Sequence, residues 1–163
     1  MKLKPMINNP NDEKWIQYIG QYMINMGAIE TTTRAIIAKL NGTDQVPIFH
    51  ENLELRIKYL RSRYPNSDDV KHKRAMNFFK VLRRHVGFRN AVAHSGLVYR
   101  DGLNDTKQVV GLVNFEPMDK KTNVADIISI EEIRRRVAES GELGAMLLEL
   151  QNDFTLAKTI YKN

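Results

Sequence analysis

The sequence predicts an all-α protein, an up-and-down bundle of four to five helices with a small β-hairpin after the third helix. Three observations predict this fold. Apolar residues recur every three or four positions over long stretches, capping residues stand where these stretches begin, and the connections between them are short. A length of 163 residues with 42% hydrophobic residues is enough for one core, so we expect residues 1–163 to form a single domain.

The first two helices are predicted at 10–41 and 48–63. Pro10 is typical of the first position of a helix, and a continuous apolar stripe follows it. Gly42 marks the break after the first stripe, and Pro65 ends the second. Because the break is short, the two helices are expected to be antiparallel neighbours.

The third and later helices flank the predicted hairpin. The third helix is predicted at 67–96, where Gly96 favours a left-handed end, and the hairpin lies within 97–115. Ser129 begins a capping box that starts the next helix. The glycines at 141 and 144 weaken this helix, so the last apolar repeat is predicted either to continue it or to form a fifth helix.

Composition narrows the classes of function. A formal net charge of +6 suits a polyanionic partner without requiring one. The chain has no cysteine, which excludes disulfides, a thiolate nucleophile and a zinc site built on thiolates. It also has no glycine-rich phosphate loop and no HExxH helix, so we expect no metal and no cofactor. The sequence begins without the apolar run of a signal peptide and contains no stretch of roughly 18 apolar residues, which predicts a cytoplasmic protein without a membrane partner.

The segment RNAVAH, residues 89–94, places an arginine and a histidine near the predicted buried stripe of the third helix. Arginine binds phosphate oxygens through a planar fork, and histidine readily acts as an acid or base near neutral pH. Five residues advance a helix by about 500°, so Arg89 and His94 diverge by roughly 140° within one chain. A second copy, related by a two-fold axis, could bring the arginine of one chain to the histidine of the other. Asn90 and His94 share one face with Arg83.

This segment, late in a helix of a small helical bundle, resembles the Arg-Asn-x-x-Ala-His signature of HEPN domains, which are nucleotide-binding domains of prokaryotes and eukaryotes. The residue-level resemblance covers 89–94. It implies a metal-independent endoribonuclease, frequently a toxin or defence effector, in which two protomers pair so that both motifs line one cleft. RNA and a second copy of the chain are then the expected partners, and an antitoxin or other inhibitory protein is a further candidate.

By position, Arg89, Asn90 and His94 match the motif arginine, the polar residue after it and the motif histidine. The resemblance implies that a ribose 2′-hydroxyl attacks the adjacent phosphate and leaves a 2′,3′-cyclic phosphate. His94 would move protons, Arg89 would stabilise charge on the phosphoryl oxygens, and Asn90 would orient the histidine or bind a phosphate oxygen. No metal is required for these steps.

Basic residues before the motif have two interpretations. Lys80, Arg83 and Arg84 would extend a positive track for RNA along the third helix. Alternatively, Arg83, Arg84 and His85 form an ordinary solvated face, as we expect for Arg134–Arg136 on the later helix.

The motif also has a structural interpretation. Arg89 pairs in that case with a carboxylate such as Glu30 or Glu54 across the bundle, and His94 interacts with the end of its helix. The chain is then a catalytically inactive module that binds a nucleotide, RNA or a protein. Arg89 buried against a carboxylate favours this alternative, whereas a dimer with both motifs in one accessible cleft favours catalysis.

Overall fold

A computed structural model describes residues 10–43, 52–66, 69–101, 107–114 and 127–160. The described residues are mostly helical, as the sequence predicts, and include a small sheet between the third and fourth helices. In chain order, the elements are α1 (Pro10–Asn41), α2 (Leu53–Arg63), α3 (Asp69–Ala93), β1 (Ser95–Asp101), β2 (Lys107–Asn114), β3 (Ile127–Ile128) and α4 (Ile130–Ile160).

Local signals explain where the helices begin. The bounds of α1 agree with the predicted 10–41. The Asn52 side chain accepts a hydrogen bond of 2.7 Å from the backbone nitrogen of Glu54 and caps α2. Asn52 is therefore extended and precedes the helix, which corrects its place within the predicted 48–63, and residues 48–51 lie outside the described residues. Ser129 caps α4 by accepting a hydrogen bond of 3.2 Å from the backbone nitrogen of Glu132, which confirms the predicted start of that helix.

The structure corrects one predicted helix end and decides between the two alternatives for the fourth helix. The third helix ends at Ala93, and Gly96 belongs to β1, because strand pairing begins at Ser95. The fourth helix continues through Gly141 and Gly144, so the described chain has four helices. Residues on both sides of these glycines, including Leu143 and Leu147, are buried in the core, and this packing outweighs the low helical propensity of glycine.

The sheet begins directly after the motif. Strands β1 and β2 are antiparallel, with Ser95 opposite Asn114 and an irregularity between Val98 and Tyr99. Strand β3 pairs with the other side of β2, giving the order β1-β2-β3. The pairing of Ser95 therefore fixes the chain one residue after His94.

Helix α3 lies against all three other helices and is antiparallel to α4. Near its start Arg74 pairs with Glu149, whereas near its end Arg136 lies over the ring of Phe88, 5.0 Å from the ring centroid. The core contains the predicted stripes of α1, α2 and α3, with Trp15 among its largest fully buried side chains. None of the helices in the described ranges combines the length and apolar character that a bilayer crossing needs.

Candidate functional site

Arg89 lies near the end of α3, where α1 and α2 approach. Its Nη2 atom is 3.4 Å from Oε1 of Glu30 on α1, and its Nη1 donates a hydrogen bond of 3.2 Å to Oδ1 of Asn90. The Arg89 side chain is 36% exposed and that of Glu30 is 23% exposed. The predicted pairing of Arg89 with Glu30 is confirmed, but the guanidinium is still accessible to solvent.

An open cavity of about 350 Å³ lies beside Arg89. Three helices contribute its walls, and both charged and amide side chains line it. These residues are Glu30, Asn52, Leu53, Val86, Arg89 and Asn90. Arginine and amide N–H groups bind anions or hydrogen-bond acceptors, so the cavity suits an anionic ligand next to one carboxylate.

His94 occupies the turn between α3 and β1. Its backbone nitrogen donates to the carbonyl oxygens of Asn90, at 3.1 Å, and Ala91, at 3.3 Å. The residue is exposed, and it does not line the cavity beside Arg89. The structure therefore brings Arg89 and Asn90 to one cavity and places His94 outside it, in agreement with the divergence expected along a helix.

His94 instead continues an exposed row along α3. Arg83, Gly87, Asn90 and His94 lie within about 60° of one another around the helix axis, and all four are exposed. A methyl group added at Gly87 would have nothing within 4 Å in the described part of the chain. The surface at Gly87 is therefore open to another molecule.

The predicted RNA-binding side chains lie on the same side of α3. Lys80, Arg83 and Arg84 are exposed. Arg83 pairs with Glu54, with Nη2 and Oε1 2.7 Å apart. Of the two carboxylates predicted as partners of Arg89, Glu54 therefore pairs with Arg83, and Glu30 pairs with Arg89. Lys80 and Arg84 add positive charge to this surface.

His85 belongs to a buried polar cluster that the sequence does not predict. Its Nε2 lies 3.2 Å from Oε2 of Glu139 on α4, and its Nδ1 lies 3.3 Å from the hydroxyl oxygen of Tyr22 on α1. The same Tyr22 hydroxyl donates a hydrogen bond of 3.0 Å to the backbone carbonyl of His85. The interpretation of His85 as part of a solvated face is wrong, because its side chain is 0% exposed. Its spacing from Phe78 and Leu82, at intervals of four and three, is the sequence signal that places it on the buried side.

Burial determines the ionisation of this cluster. Desolvation, with a further contribution from Arg136, lowers the pKa of His85, although Glu139 opposes the shift. Desolvation also raises the pKa of the Tyr22 phenol. His85 and Tyr22 are therefore both neutral at pH 7, and Glu139 also pairs with Arg135 and Arg136.

The arginines of α4 differ in exposure. Arg134 and Arg135 are exposed, as the interpretation of a solvated face requires, but Arg136 is half-buried against Phe88. Glu132 accepts hydrogen bonds from Arg135 at 2.6 Å and from Arg136 at 2.8 Å. Partial burial raises the pKa of the Glu132 carboxyl, but the hydrogen bonds and the positive charges of Arg135 and Arg136 together lower it by more, so the net pKa is below its ordinary value.

Arg56 is a second arginine beside Glu30. Its side chain is 0% exposed, and its Nη2 lies 3.8 Å from Oε2 of Glu30. Burial and then Arg34 lower the pKa of Arg56, while Glu30 raises it. The sequence alone does not identify this residue, although its position between Leu53 and Leu60 on the apolar side of α2 is a signal of burial.

Within the described ranges, no group of three or more histidine, aspartate or glutamate side chains is placed to hold a metal ion. Comparison of the chain with protein-family models, with curated proteins and with solved structures finds no match. The likeness to HEPN domains accordingly rests on residues 89–94.

Proposed function

We propose that this protein is a HEPN-like, metal-independent endoribonuclease that acts as a homodimer. The observation that carries the proposal is the arrangement at the end of α3. Arg89 and Asn90 line an open cavity, and His94 is exposed one helical turn beyond Asn90. A phosphate-binding arginine, an amide and an accessible imidazole are the groups that RNA cleavage without a metal requires.

In this mechanism the ribose 2′-hydroxyl oxygen forms a bond to the adjacent phosphorus, and the bond from phosphorus to the 5′-oxygen breaks. His94 of one protomer takes the proton from the 2′-hydroxyl and delivers it to the leaving 5′-oxygen. Arg89 stabilises the negative charge on the phosphoryl oxygens. The products are a 2′,3′-cyclic phosphate and a 5′-hydroxyl end, and no oxidant, reductant or metal takes part.

A dimer explains how Arg89 and His94 act on one phosphate. Within one chain the two side chains point away from each other by roughly 140°, and His94 lies outside the Arg89 cavity. The exposed row of α3 offers a surface on which a second α3 can lie, since Gly87 leaves space for close approach. Contact between the two helices near their ends, where Asn90 adjoins Arg89, would bring His94 of one chain towards Arg89 of the other.

The runner-up function is an inactive module that binds RNA, a nucleotide or a protein. The ion pair between Arg89 and Glu30 favours it, because a guanidinium occupied by a carboxylate is less available to a reacting phosphate. Exposure of Arg89 and the open cavity beside it favour the nuclease over this alternative.

Complementation between inactive variants tests the nuclease and the dimer together. Arg89→Ala and His94→Ala should each reduce RNA cleavage about 100-fold or more. When equal amounts of the two variants are mixed and allowed to exchange, half of the dimers are mixed, and each holds one intact site. Activity should return to about a quarter of the wild-type value. His72→Ala, a change at the other end of α3, is the matched control and should cleave like wild type.

Two results would contradict the proposal. Wild-type protein that leaves RNA intact without any inhibitor would exclude the nuclease and favour the binding module. Active wild type whose two inactive variants show no recovery on mixing would instead exclude the shared site, and the chemistry would then belong to a single protomer.

A further inference from the structure

Glu30 is the carboxylate that lines the cavity beside Arg89. It lies between two guanidinium groups, 3.4 Å from Arg89 and 3.8 Å from the buried Arg56. We propose that Glu30 occupies the phosphate-binding side of Arg89 in the free protein, and that an RNA phosphate replaces Glu30 on Arg89 when RNA binds. This inference rests on the proposed function in taking RNA as the ligand, and it does not require cleavage.

The distance between Arg89 and Glu30 is that of a loose pair. Close pairs of arginine and carboxylate have nitrogen to oxygen distances of about 2.7–2.9 Å. Arg83 and Glu54, on the neighbouring surface, reach 2.7 Å although both are exposed. Glu30 therefore attracts Arg89 without the short hydrogen bond that would make exchange slow or costly.

Arg89 is held in place while one of its nitrogens changes partner. Its Nη1 donates to Oδ1 of Asn90, so Nη2, which faces Glu30, is the group that can turn to a phosphate oxygen. The open volume of about 350 Å³ in front of it has room for a phosphate group. Nη2 carries two N–H donors, so it can turn to a phosphate oxygen while Nη1 stays on Asn90.

Arg56 explains why Glu30 still has a positively charged neighbour when a phosphate displaces it from Arg89. A partly buried carboxylate that loses its only cation is strongly destabilised. Glu30 keeps the Arg56 guanidinium as a neighbour, and that guanidinium is buried on the side away from solvent. The ion pair between Arg89 and Glu30 is thus replaced by one between Arg89 and the phosphate, while Glu30 stays next to the positive charge of Arg56.

Binding of an RNA that cannot be cleaved tests this exchange. A 2′-O-methyl oligoribonucleotide has no attacking hydroxyl, so its dissociation constant reports binding without chemistry. Glu30→Gln should bind it about two- to fivefold more tightly than wild type, the range expected when a partly exposed ion pair no longer competes. In an Arg89→Ala background, the same Glu30→Gln change should have no effect.

Glu149→Gln is the matched control for charge. Glu149 pairs with Arg74 at 3.0 Å, and both side chains are exposed near the opposite end of α3. Its substitution removes the same unit of negative charge from the molecule but leaves Arg89 and Glu30 unchanged. Binding by Glu149→Gln should match wild type at the same salt concentration.

The exchange is wrong if Glu30→Gln binds no more tightly than wild type, if Glu149→Gln gains as much, or if the gain persists without Arg89. Cleavage of ordinary RNA is measured in parallel. Tighter binding by Glu30→Gln with no cleavage by wild type would refute the nuclease and retain the exchange.

Should Glu30→Gln fail to fold because Arg56 is buried, the double variant Glu30→Gln with Arg56→Met replaces it. That variant should bind about two- to fivefold more tightly than Arg56→Met alone, and equal binding would overturn the exchange.

Discussion

His85, within α3, and His94, directly after its last residue, are in opposite circumstances. His85 is buried and lies between Tyr22 and Glu139, whereas His94 is exposed in the turn where the helix ends. The His85 ring has a partner at each nitrogen, within 3.3 Å. His94 has no side-chain hydrogen bond or ion pair to any side chain that the structure describes. Burial and fixed contacts therefore make His85 a structural residue, whereas exposure leaves His94 accessible to a ligand.

The two regions also differ in what they join. The His85 cluster connects α1, α3 and α4, and neighbouring Phe88 packs edge-on against Tyr22 with ring centroids 5.3 Å apart. The Arg89 region instead faces a cavity and contains a loose ion pair. A buried cluster with fixed contacts contributes to stability, and an open one with weakly held charge can change partners.

The largest expected effect on stability is that of His85→Ala. The change creates a cavity and removes the imidazole that contacts the Tyr22 hydroxyl and Glu139, so the free energy of unfolding should fall by about 2–4 kcal/mol. Denaturant unfolding measures it. His72→Ala, at a half-buried position nearer the start of α3, should cost under about 1 kcal/mol. If both variants lose the same free energy of unfolding, His85 contributes no more to stability than the half-buried His72.

The pH dependence of stability gives a second, smaller effect. Because burial lowers the pKa of His85, the unfolded chain binds the histidine proton more readily than the folded protein does. Stability from this group is complete above about pH 6.5, the ordinary histidine pKa, and decreases as the pH falls toward the lower folded-state pKa. His85→Gln should lose this component of the dependence. If the free energy of unfolding decreases equally in wild type and variant between pH 7.5 and pH 5, a group other than His85 causes the decrease.

Tyr22→Phe should have a more modest effect, a loss of about 1–2 kcal/mol. The substitution keeps the ring that packs against Phe88 but removes the hydroxyl that donates to the His85 carbonyl. Thermal or denaturant unfolding at pH 7 provides the measurement. An unchanged free energy of unfolding would mean that this buried hydroxyl does not hold α1 to α3.

The smallest expected effect is a gain in stability from Gly87→Ala, on the exposed side of α3. At concentrations at which the chain is unpaired, Gly87→Ala should raise the free energy of unfolding by about 0.5–1 kcal/mol, because alanine favours a helix and the added methyl group meets nothing within 4 Å. A loss of stability would show that this surface is already covered in solution. If the variant is more stable but cleaves RNA poorly, close approach of a second molecule at Gly87 becomes the explanation.

Long periodic patterns and capping residues made much of the helical framework predictable. The 10–41 prediction for α1 and the Ser129 cap of α4 depend on local sequence, and both are confirmed. The end of α3 was not predictable in this way, because pairing with β2 takes Gly96 into a strand. A glycine that suits a helix end suits a strand equally well when tertiary pairing is available.

The candidate site was predictable in part. Residue types and spacing identified Arg89, Asn90 and His94 and raised Glu30 as a partner of the arginine, and the ion pair at 3.4 Å confirms that pairing. The burial of His85 was not predicted, because a polar residue is assigned to the surface unless its buried partners are known. Those partners lie on other helices, 63 and 54 residues away in sequence, and no local pattern reports such contacts.

The most direct test of the difference between the two histidines compares His94→Gln with His85→Gln in both cleavage rate and unfolding free energy. His94→Gln should lose about 100-fold or more in RNA cleavage while its stability stays within about 0.5 kcal/mol of wild type. His85→Gln should lose about 1–3 kcal/mol of stability, and the molecules that remain folded should cleave at close to the wild-type rate. Wild-type cleavage by His94→Gln, or a loss of cleavage confined to His85→Gln, would contradict the assignment of chemistry to the exposed end of α3.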